Sequence, residues 1–519
     1  MENTGLRAFL AVILSMAILF GSQYLYTKYY HPQTKEQTKT VQQTEEVKKE
    51  EKQSPAPALQ IPSTKKDESK QVFKDNKYKE ITVENEVFKV VLSNEGATIK
   101  SVELKKYKDS KENPIHLSSG QIPAISIMKD GKFDYAKIIF NVDDSNASFK
   151  DSKEAIVVFN YRDENVSIKR SFIFNKTDYA IDVKEEINGI GNYHVTLGLN
   201  FGIFDKENAP HWGPVILKEA DRIELTPSKI KEPVTYRGDI KWIAQEDKYF
   251  FSAIVPVSKA NQFIVLPYNG DAIAAVEFQD GINHYKVFAS PKDYDYLKKF
   301  NLGLEHIVDF GFFSIIARPL FWFLKLLYSI FGNYGVAIII LTILVRIPFI
   351  PIVNRGQKSM QKLSELQPKL LQLKEQYKND PQRLQKEMME LYRKYKINPM
   401  SGCLPILLQI PVFFALYQIL QLAIELRQAP FILWIKDLSA KDPYYILPIL
   451  MGATMLIQQK ITPSTADPTQ QKIMLIIPVV FTFIFLTFPS GLVLYWLVNN
   501  IFGIAQQFYI NQKIKKAKN

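Results

Sequence analysis

The chain has 519 residues, enough for two or three domains, and carries a net charge of +12 with 46% hydrophobic residues. Its one cysteine, Cys403, excludes an intrachain disulfide and a cysteine metal cluster. The basic surplus comes without zinc-finger spacing or an aromatic-plus-glycine RNA motif, so nucleic acid is not expected as a direct partner.

Apolar residues are spread unevenly: the first 300 or so residues read as a polar globular chain, and long apolar runs dominate the rest. Leu6 to Tyr26 is an apolar run longer than a signal-peptide core, and neither a small-residue cleavage site nor a cysteine follows it. Residues 1–26 are therefore expected to be an uncleaved transmembrane anchor with a cytoplasmic N-terminus. Residues 27–77, rich in Lys, Glu, Gln, Thr and Pro, bury too little apolar surface to offset ordering entropy and read as a disordered tether.

From Tyr78 to Pro291 the pattern changes to short strands with alternating apolar and polar residues. "ITVENEVFKVVLSNEGATIKSVELKKY" turns at Asn94-Glu95-Gly96, and "AIVVFNY" and "SIKRSFIFN" continue the scheme. Strands this numerous predict a large extracytoplasmic β-sandwich over residues 78–305. The next segment, 306–332, contains "FFSIIARPLFWFLKLLYSIFG". It is long enough to span, yet Arg318 and Lys325 share one helix face and Trp322 and Tyr328 suit headgroup depth. An interfacial amphipathic helix, kinked near Pro319, competes with a span here.

Five further apolar segments follow, near residues 335–353, 402–424, 444–459, 473–488 and 490–509. Between them Lys and Arg number eleven in 354–399, three in 425–443, two in 460–472 and none in 489–490, with four in the tail 511–519. Six spans with both termini inside place the eleven, two and four in the cytoplasm; a seventh span at 312–332 would turn the eleven outward. The expected fold is thus an α-helical polytopic membrane protein of six transmembrane helices, with helix 306–332 on the outer surface. The five C-terminal helices form a core over 333–512, followed by a basic cytoplasmic tail, 513–519. Within the core, 354–399 reads as a cytoplasmic hairpin of two charged helices joined at Asn379-Asp380-Pro381. A solvated hairpin and a docking site for a cytoplasmic partner are both open readings of it.

One residue is out of place. In "IIILTILVRIPFIPIV", Arg346 puts a permanent charge inside a span, at roughly 2.5–3.5 kcal/mol on insertion scales. It lies about 12–13 Å from the cytoplasmic boundary at 1.5 Å per residue. A lipid-facing arginine snorkelling to headgroups is one reading. Against it stands the polar company: Thr342 one turn earlier, Gln409, Gln418 and Gln421, Thr482, and Asn499, Asn500, Gln506 and Gln507, with no acidic residue in any span. An arginine among amides without a counter-charge points to a water-filled cavity open to the cytoplasm. GxxxxGK[ST], HExxH and GxSxG are absent and all six histidines lie outside the spans, so neither an enzyme nor a cofactor is expected.

"LTILVRIPF", "NPMSGCLPILLQIPVFFALYQIL", "ELRQAPFILWIKDLSAKDPYYILPILMGATM", "DPTQQKIM" and "FPSGLVLYWLVNN" closely resemble the YidC–Oxa–Alb membrane protein insertases over about residues 310–512. The anchor and sandwich resemble the Gram-negative YidC form, through stretches such as "NEGATIKSVELKKY". The resemblance implies an insertase and foldase in the bacterial inner membrane, working without nucleotide hydrolysis on nascent membrane proteins. It implies a hydrophilic groove around Arg346, with Thr342 as a substrate-contacting residue and Tyr495 and Trp496 as a substrate-contacting wall. The span amides Gln409, Asn499, Asn500 and Gln506, read above as the arginine's polar company, are expected to line the same groove. It also implies partners: the Sec translocon, the ribosome and signal recognition machinery at the hairpin and tail, and membrane lipids. The sandwich is then periplasmic and largely dispensable. Two other classes compete. A small-solute or ion transporter would show inverted repeats, of which none is visible between 333–420 and 440–510, and a scaffold merely anchored by its spans would not need polar span faces.

Overall fold

In a computed structural model, the structure describes residues 77–149, 152–207, 209–395, 404–462 and 468–518. The expected anchor, the tether up to its last residue and Cys403 lie outside those residues. The chain divides into two compact units, residues 1–307 and 308–519.

The first unit is antiparallel throughout, as the alternation in its sequence requires. Strands β1 (Glu80–Glu84), β2 (Phe88–Ser93), β3 (Thr98–Lys108) and β4 (Pro114–Ser118) form one sheet in sequential order. In β1 Ile81 and Val83 are buried while their neighbours are exposed, the signature of a sheet with one dry face. The β2–β3 turn falls where Asn94-Glu95-Gly96 predicts it, with Gly96 at φ +70° and Ala97 at +50°. A Cβ on Gly96 would lie 2.8 Å from the backbone of Ala136, so only glycine fits. Twelve further strands make a second sheet, whose spine includes β8 (Ser167–Asn175), β9 (Ala180–Thr196), β14 (Phe250–Pro256) and β16 (Asp271–Pro291). The long strands β9 and β16 pair over most of their length, with an irregularity between Gln279 and Gly281.

A charge ties the two sheets. Arg170 of β8 is wholly buried, in phase with Ile168 and Phe172. It donates to Glu185 of β9 at 2.7 Å, and across to the carbonyls of Ala97 and Ile125, each at 2.7 Å. Tyr193 and Tyr285 donate to Glu185 at 2.9 and 2.6 Å, which gives the buried pair the surrounding hydrogen bonds it needs. A short helix, α1 (Tyr294–Lys298), capped by the Asp293 carboxylate accepting from the Tyr296 N–H, follows the sheet.

The second unit is helical. Helix α2 (Ser314–Phe331) runs on through Pro319 and ends on Gly332 at φ +65°, a left-handed cap. Asn333 caps α3 (Tyr334–Arg346); after a 3-10 turn at Ile347–Phe349, α4 (Ile350–Glu365) continues. The stretches Gly311–Phe331 and Tyr334–Glu365 are long and apolar enough to cross a membrane, and shorter apolar helices occupy Gln409–Leu422, Ile446–Ile461 and Leu475–Phe485.

The charged region contains three helices where two were expected. Helix α4 stops at Leu366, and α5 (Gln367–Gln376) starts afresh with Pro368 in its first turn, because proline cannot donate the interior helix bond. The turn at Asp380-Pro381 is as expected: Asp380 caps α6 (Pro381–Lys394) by accepting from the Arg383 N–H at 3.0 Å. Leu363, Leu366 and Leu370 form a small core with Met388, Leu391 and Tyr392. Helices α7 (Leu404–Leu422), α8 (Ile446–Ile461), α9 (Pro468–Phe485) and α10 (Ser490–Lys518) complete the unit.

Candidate functional site

Arg346 is the last residue of α3, and the sequence explains why the helix changes there. Pro348 has no N–H to offer the Leu344 carbonyl, which shares the Ile347 N–H with Ile343 instead, and the backbone tightens into the 3-10 turn. The half-buried Arg346 side chain crosses to α10. One of its terminal nitrogens donates to the Asn499 carbonyl at 2.5 Å and also to the Asn499 side-chain oxygen. Its carbon lies 5.2 Å from the Phe502 ring centre, within cation–π range.

Tyr495, Asn499 and Gly503 recur every fourth residue and therefore share a face of α10, with Gln506 close to the same line. Tyr495 is buried, and Gln409 of α7 approaches its hydroxyl at 3.5 Å. Gln506, also buried, donates to the Asn354 side chain of α4 at 2.6 Å. Arg346, Asn354, Gln409, Tyr495, Asn499 and Gln506 therefore form one polar seam contributed by α3, α4, α7 and α10. Thr342 sits one turn from Arg346, buried, with its hydroxyl donating to the Ile338 carbonyl at 2.6 Å.

The other two expected residues turn away. Asn500, about 100° around α10 from Asn499, donates to the Thr454 hydroxyl of α8 at 3.2 Å. Trp496 packs edge-on against Phe413 of α7 at 5.0 Å and lies 5.3 Å from Phe485 of α9. The adjacent Tyr495 and Trp496 thus serve a polar seam and an apolar aromatic cluster, respectively.

Three residues at the seam are absent from the sequence-based set. Asn354 could have been found as the polar residue two turns beyond Arg346. Gln458 and Gly503 carry no local signal, because they meet only through packing of α8 on α10. A Cβ on Gly503 would stand 2.8 Å from the Gln458 amide nitrogen and 3.0 Å from an Arg346 nitrogen. Residue 503 lies one turn after Asn499, where a side chain would lean over the carbonyl that Arg346 reaches.

The bundle is tight where α10 begins. Ser490 and Gly491 donate their N–H groups to the carbonyls of Ala440 and Leu438 at 2.7 and 3.0 Å, and the Ser490 hydroxyl donates to the Asp437 carbonyl at 2.9 Å. A Cβ on Gly491 would meet Leu420 at 2.8 Å. Polar side chains thus gather toward one end of the bundle while the other is closed by backbone hydrogen bonds and close packing.

Comparison with known proteins gives the family. Residues 326–518 match the family model of the 60Kd inner membrane protein, and residues 80–323 match that of the YidC periplasmic domain. A membrane protein insertase YidC from Syntrophus aciditrophicus (strain SB) is 41% identical over 474 residues, covering 84% of this chain and 86% of its own. Another, from Geotalea uraniireducens (strain Rf4), is 38% identical over 541 residues, covering 98% and 99%. The crystal structure of an active YidC insertase with its first transmembrane domain resolved matches at a TM-score of 0.40 and 20% identity, covering 84% of this chain and 93% of that one. Relatives 38–41% identical over most of both chains, together with both family models matched in order, lead to one conclusion: the chain belongs to the YidC family of membrane protein insertases.

Proposed function

We propose that the polar seam around Arg346 receives the translocated segment of a nascent or translocon-delivered membrane protein from the cytoplasm, while its hydrophobic segment leaves into the bilayer past the aromatic cluster. The observation that carries this reading is the set of partners around Arg346: a permanent cation held by the dipoles of Asn499, with no carboxylate of the described residues bonded to it. A cation so held keeps its charge available to an incoming acidic or carbonyl group.

No fuel is needed. A segment of about 20 apolar residues gains roughly 0.3–0.6 kcal/mol from each Leu, Ile, Phe or Val it places in lipid. The barrier is the polar tail, and a hydrated seam reaching part way across shortens its path through hydrocarbon. A positive-outside potential then draws acidic tails outward by about 2.3 kcal/mol per charge per 100 mV. Thr342, Gln409, Asn499 and Gln506 supply the polar wall in this reading. Tyr495 supplies the contact with the passing polar segment, and Trp496 in its aromatic cluster the contact with the apolar one, while Asn500 faces α8.

The topology that places the seam correctly has six spans, cytoplasmic termini, a periplasmic sandwich and helix α2 on the outer surface. The charged helices α5 and α6 and the basic tail then face the ribosome and signal recognition machinery, and the helical unit faces lipid and the Sec translocon. A cysteine replacing Arg346, in a chain carrying Cys403→Ser, tests the central point. In inverted membrane vesicles it should react with a membrane-impermeant maleimide applied from the cytoplasmic face, and complete protection would refute a cytoplasm-open seam.

A further inference from the structure

The loop between α7 and α8 carries a feature that the insertion reaction does not use. Ile432 and Leu433 stand at its tip, and Leu433 is 80% exposed at φ +52°, a left-handed conformation that leucine adopts only under constraint. A tip surrounded by water favours Gly, Asn or Asp at such a position; this one presents two aliphatic side chains.

The tip is also stiffly held. Phe431 and Ile435 donate their N–H groups to the carbonyls of Ile435 and Ile432 at 2.9 and 3.1 Å, and Leu438 donates to Ala429 at 3.0 Å. The Trp434 indole N–H donates to the Asp442 carboxylate at 3.0 Å. Asn333, the residue that caps α3, donates its amide to the Phe431 carbonyl at 2.9 Å. The Phe431 ring occupies the space a side chain at Gly335 would need, 2.0 Å from an added Cβ.

These contacts fix the height of the tip. It is fastened to the first turn of α3, where an apolar helix long enough to cross a membrane begins. Ile330 and Phe331, both exposed, end α2 immediately before that turn. Exposed aliphatic and aromatic side chains from two segments are thus gathered at the level of the α3 N-terminus. Trp434, partly exposed, lies beside them, Lys436 is close by, and residues 426–436 contain no acid. Aromatic rings and lysine at the end of a span are the composition of the headgroup region.

We propose that Ile432 and Leu433 form a peg seated in the headgroup–acyl boundary of the leaflet at the N-terminal end of α3, and that its partner is the lipid surface. The peg holds the α7–α8 loop, which also closes the bundle at Ser490 and Gly491, at a fixed depth. It rests on the chain being an inner-membrane protein and is independent of what passes the Arg346 seam.

The test is a depth measurement on the full chain, carrying Cys403→Ser and a nitroxide label at Leu433→Cys or Ile432→Cys, in nanodiscs of phosphatidylethanolamine and phosphatidylglycerol. At both sites, collisions with oxygen should exceed those with a water-soluble nickel chelate several-fold, as at Ile449→Cys on exposed α8. The order should reverse at Lys111→Cys in a sandwich loop. Ile432→Cys leaves the left-handed residue untouched, so the result does not hinge on perturbing Leu433. Adding Leu433→Asp should abolish the oxygen excess at position 432. A nickel response at the tip equal to that at position 111 would overturn the peg. Shielding from both reagents would overturn it as well, since a protein surface would then cover the tip.

Discussion

Arg346 reaches the backbone and the side chain of the same residue, Asn499, so a cation on α3 is held by the dipoles of a single position on α10. A guanidinium has five donors, and two oxygens of one asparagine do not exhaust them. Substituting Arg346→Ala should therefore lower insertion of substrates with acidic translocated tails by about tenfold, the loss of roughly 1.4 kcal/mol of attraction, and spare uncharged tails. Arg346→Lys keeps the charge without the planar fork and should fall between. Insertion into vesicles reconstituted with each variant measures this; equal losses for both tail types would contradict an electrostatic role.

Gly503 allows that contact. Alanine is the better helix former by about 1 kcal/mol, so on propensity alone Gly503→Ala should stabilise α10. The added methyl would meet Gln458 at 2.8 Å and Arg346 at 3.0 Å, and displacing two half-buried polar groups from the seam outweighs the propensity gain. The variant should melt lower than the parent in detergent, and Gly503→Ala with Gln458→Ala should recover most of the difference. A higher melting temperature for the single variant would show that the seam yields freely.

These two residues mark how far the sequence could be read. Arg346 was legible because a charge among fifteen lipid-compatible neighbours has few explanations, and the amides of α10 were legible as polar residues in an apolar run. Gly503 and Gln458 were not, since Gln458 sits at the polar end of its segment beside Gln459 and Lys460, and a glycine in an apolar helix is commonplace. Their meaning appears only when α8 and α10 pack. The roles of Tyr495 and Trp496 also separate only once their neighbours are known. In the sandwich, alternation located the strands and the Asn94–Gly96 turn. Two sheets held by one buried charge were not foreseen, although Arg170 stands in the inward phase of β8. The break at Leu366 was missed although Pro368 announced it.

Removing either partner of the Arg170–Glu185 pair leaves a buried charge uncompensated. Arg170→Met or Glu185→Leu should each destabilise the sandwich by about 3–5 kcal/mol, whereas replacing both with apolar residues should cost far less. Denaturant unfolding followed through the sandwich tryptophans would give the coupling, and additive effects would mean that the pair does not act as a unit.

His194 sets an acid limit on the same domain. Burial, reinforced by repulsion from Lys129 and opposed by Asp130, lowers its pKa from 6.5 to about 4. The unfolded chain therefore binds this proton more readily than the folded one, so the contribution is fully present above pH 6.5 and is lost as the pH falls toward 4. Its ceiling is about 3 kcal/mol. Glu277, whose carboxylate lies 4.0 Å from the ring, has a raised pKa through burial. It acts with the opposite sign, taking up a proton when folded, and softens the loss. His194→Gln should flatten the stability profile between pH 6.5 and 4, and an unchanged slope would assign it to other groups.

Excising residues 80–290 should leave vesicle insertion largely intact, because the Arg346 seam is built entirely from residues of the second unit. Loss of all activity would favour a scaffold whose sandwich is the working part.

Such a cut must be made whole. The Arg170 guanidinium takes its acceptors from three stretches far apart in the chain: the β2–β3 turn, Ile125, and β9. Trimming at any strand boundary inside that span strands a permanent cation in a dry interior. Partial truncations will then yield aggregates that look like evidence for an essential domain. The domain tolerates amputation better than pruning.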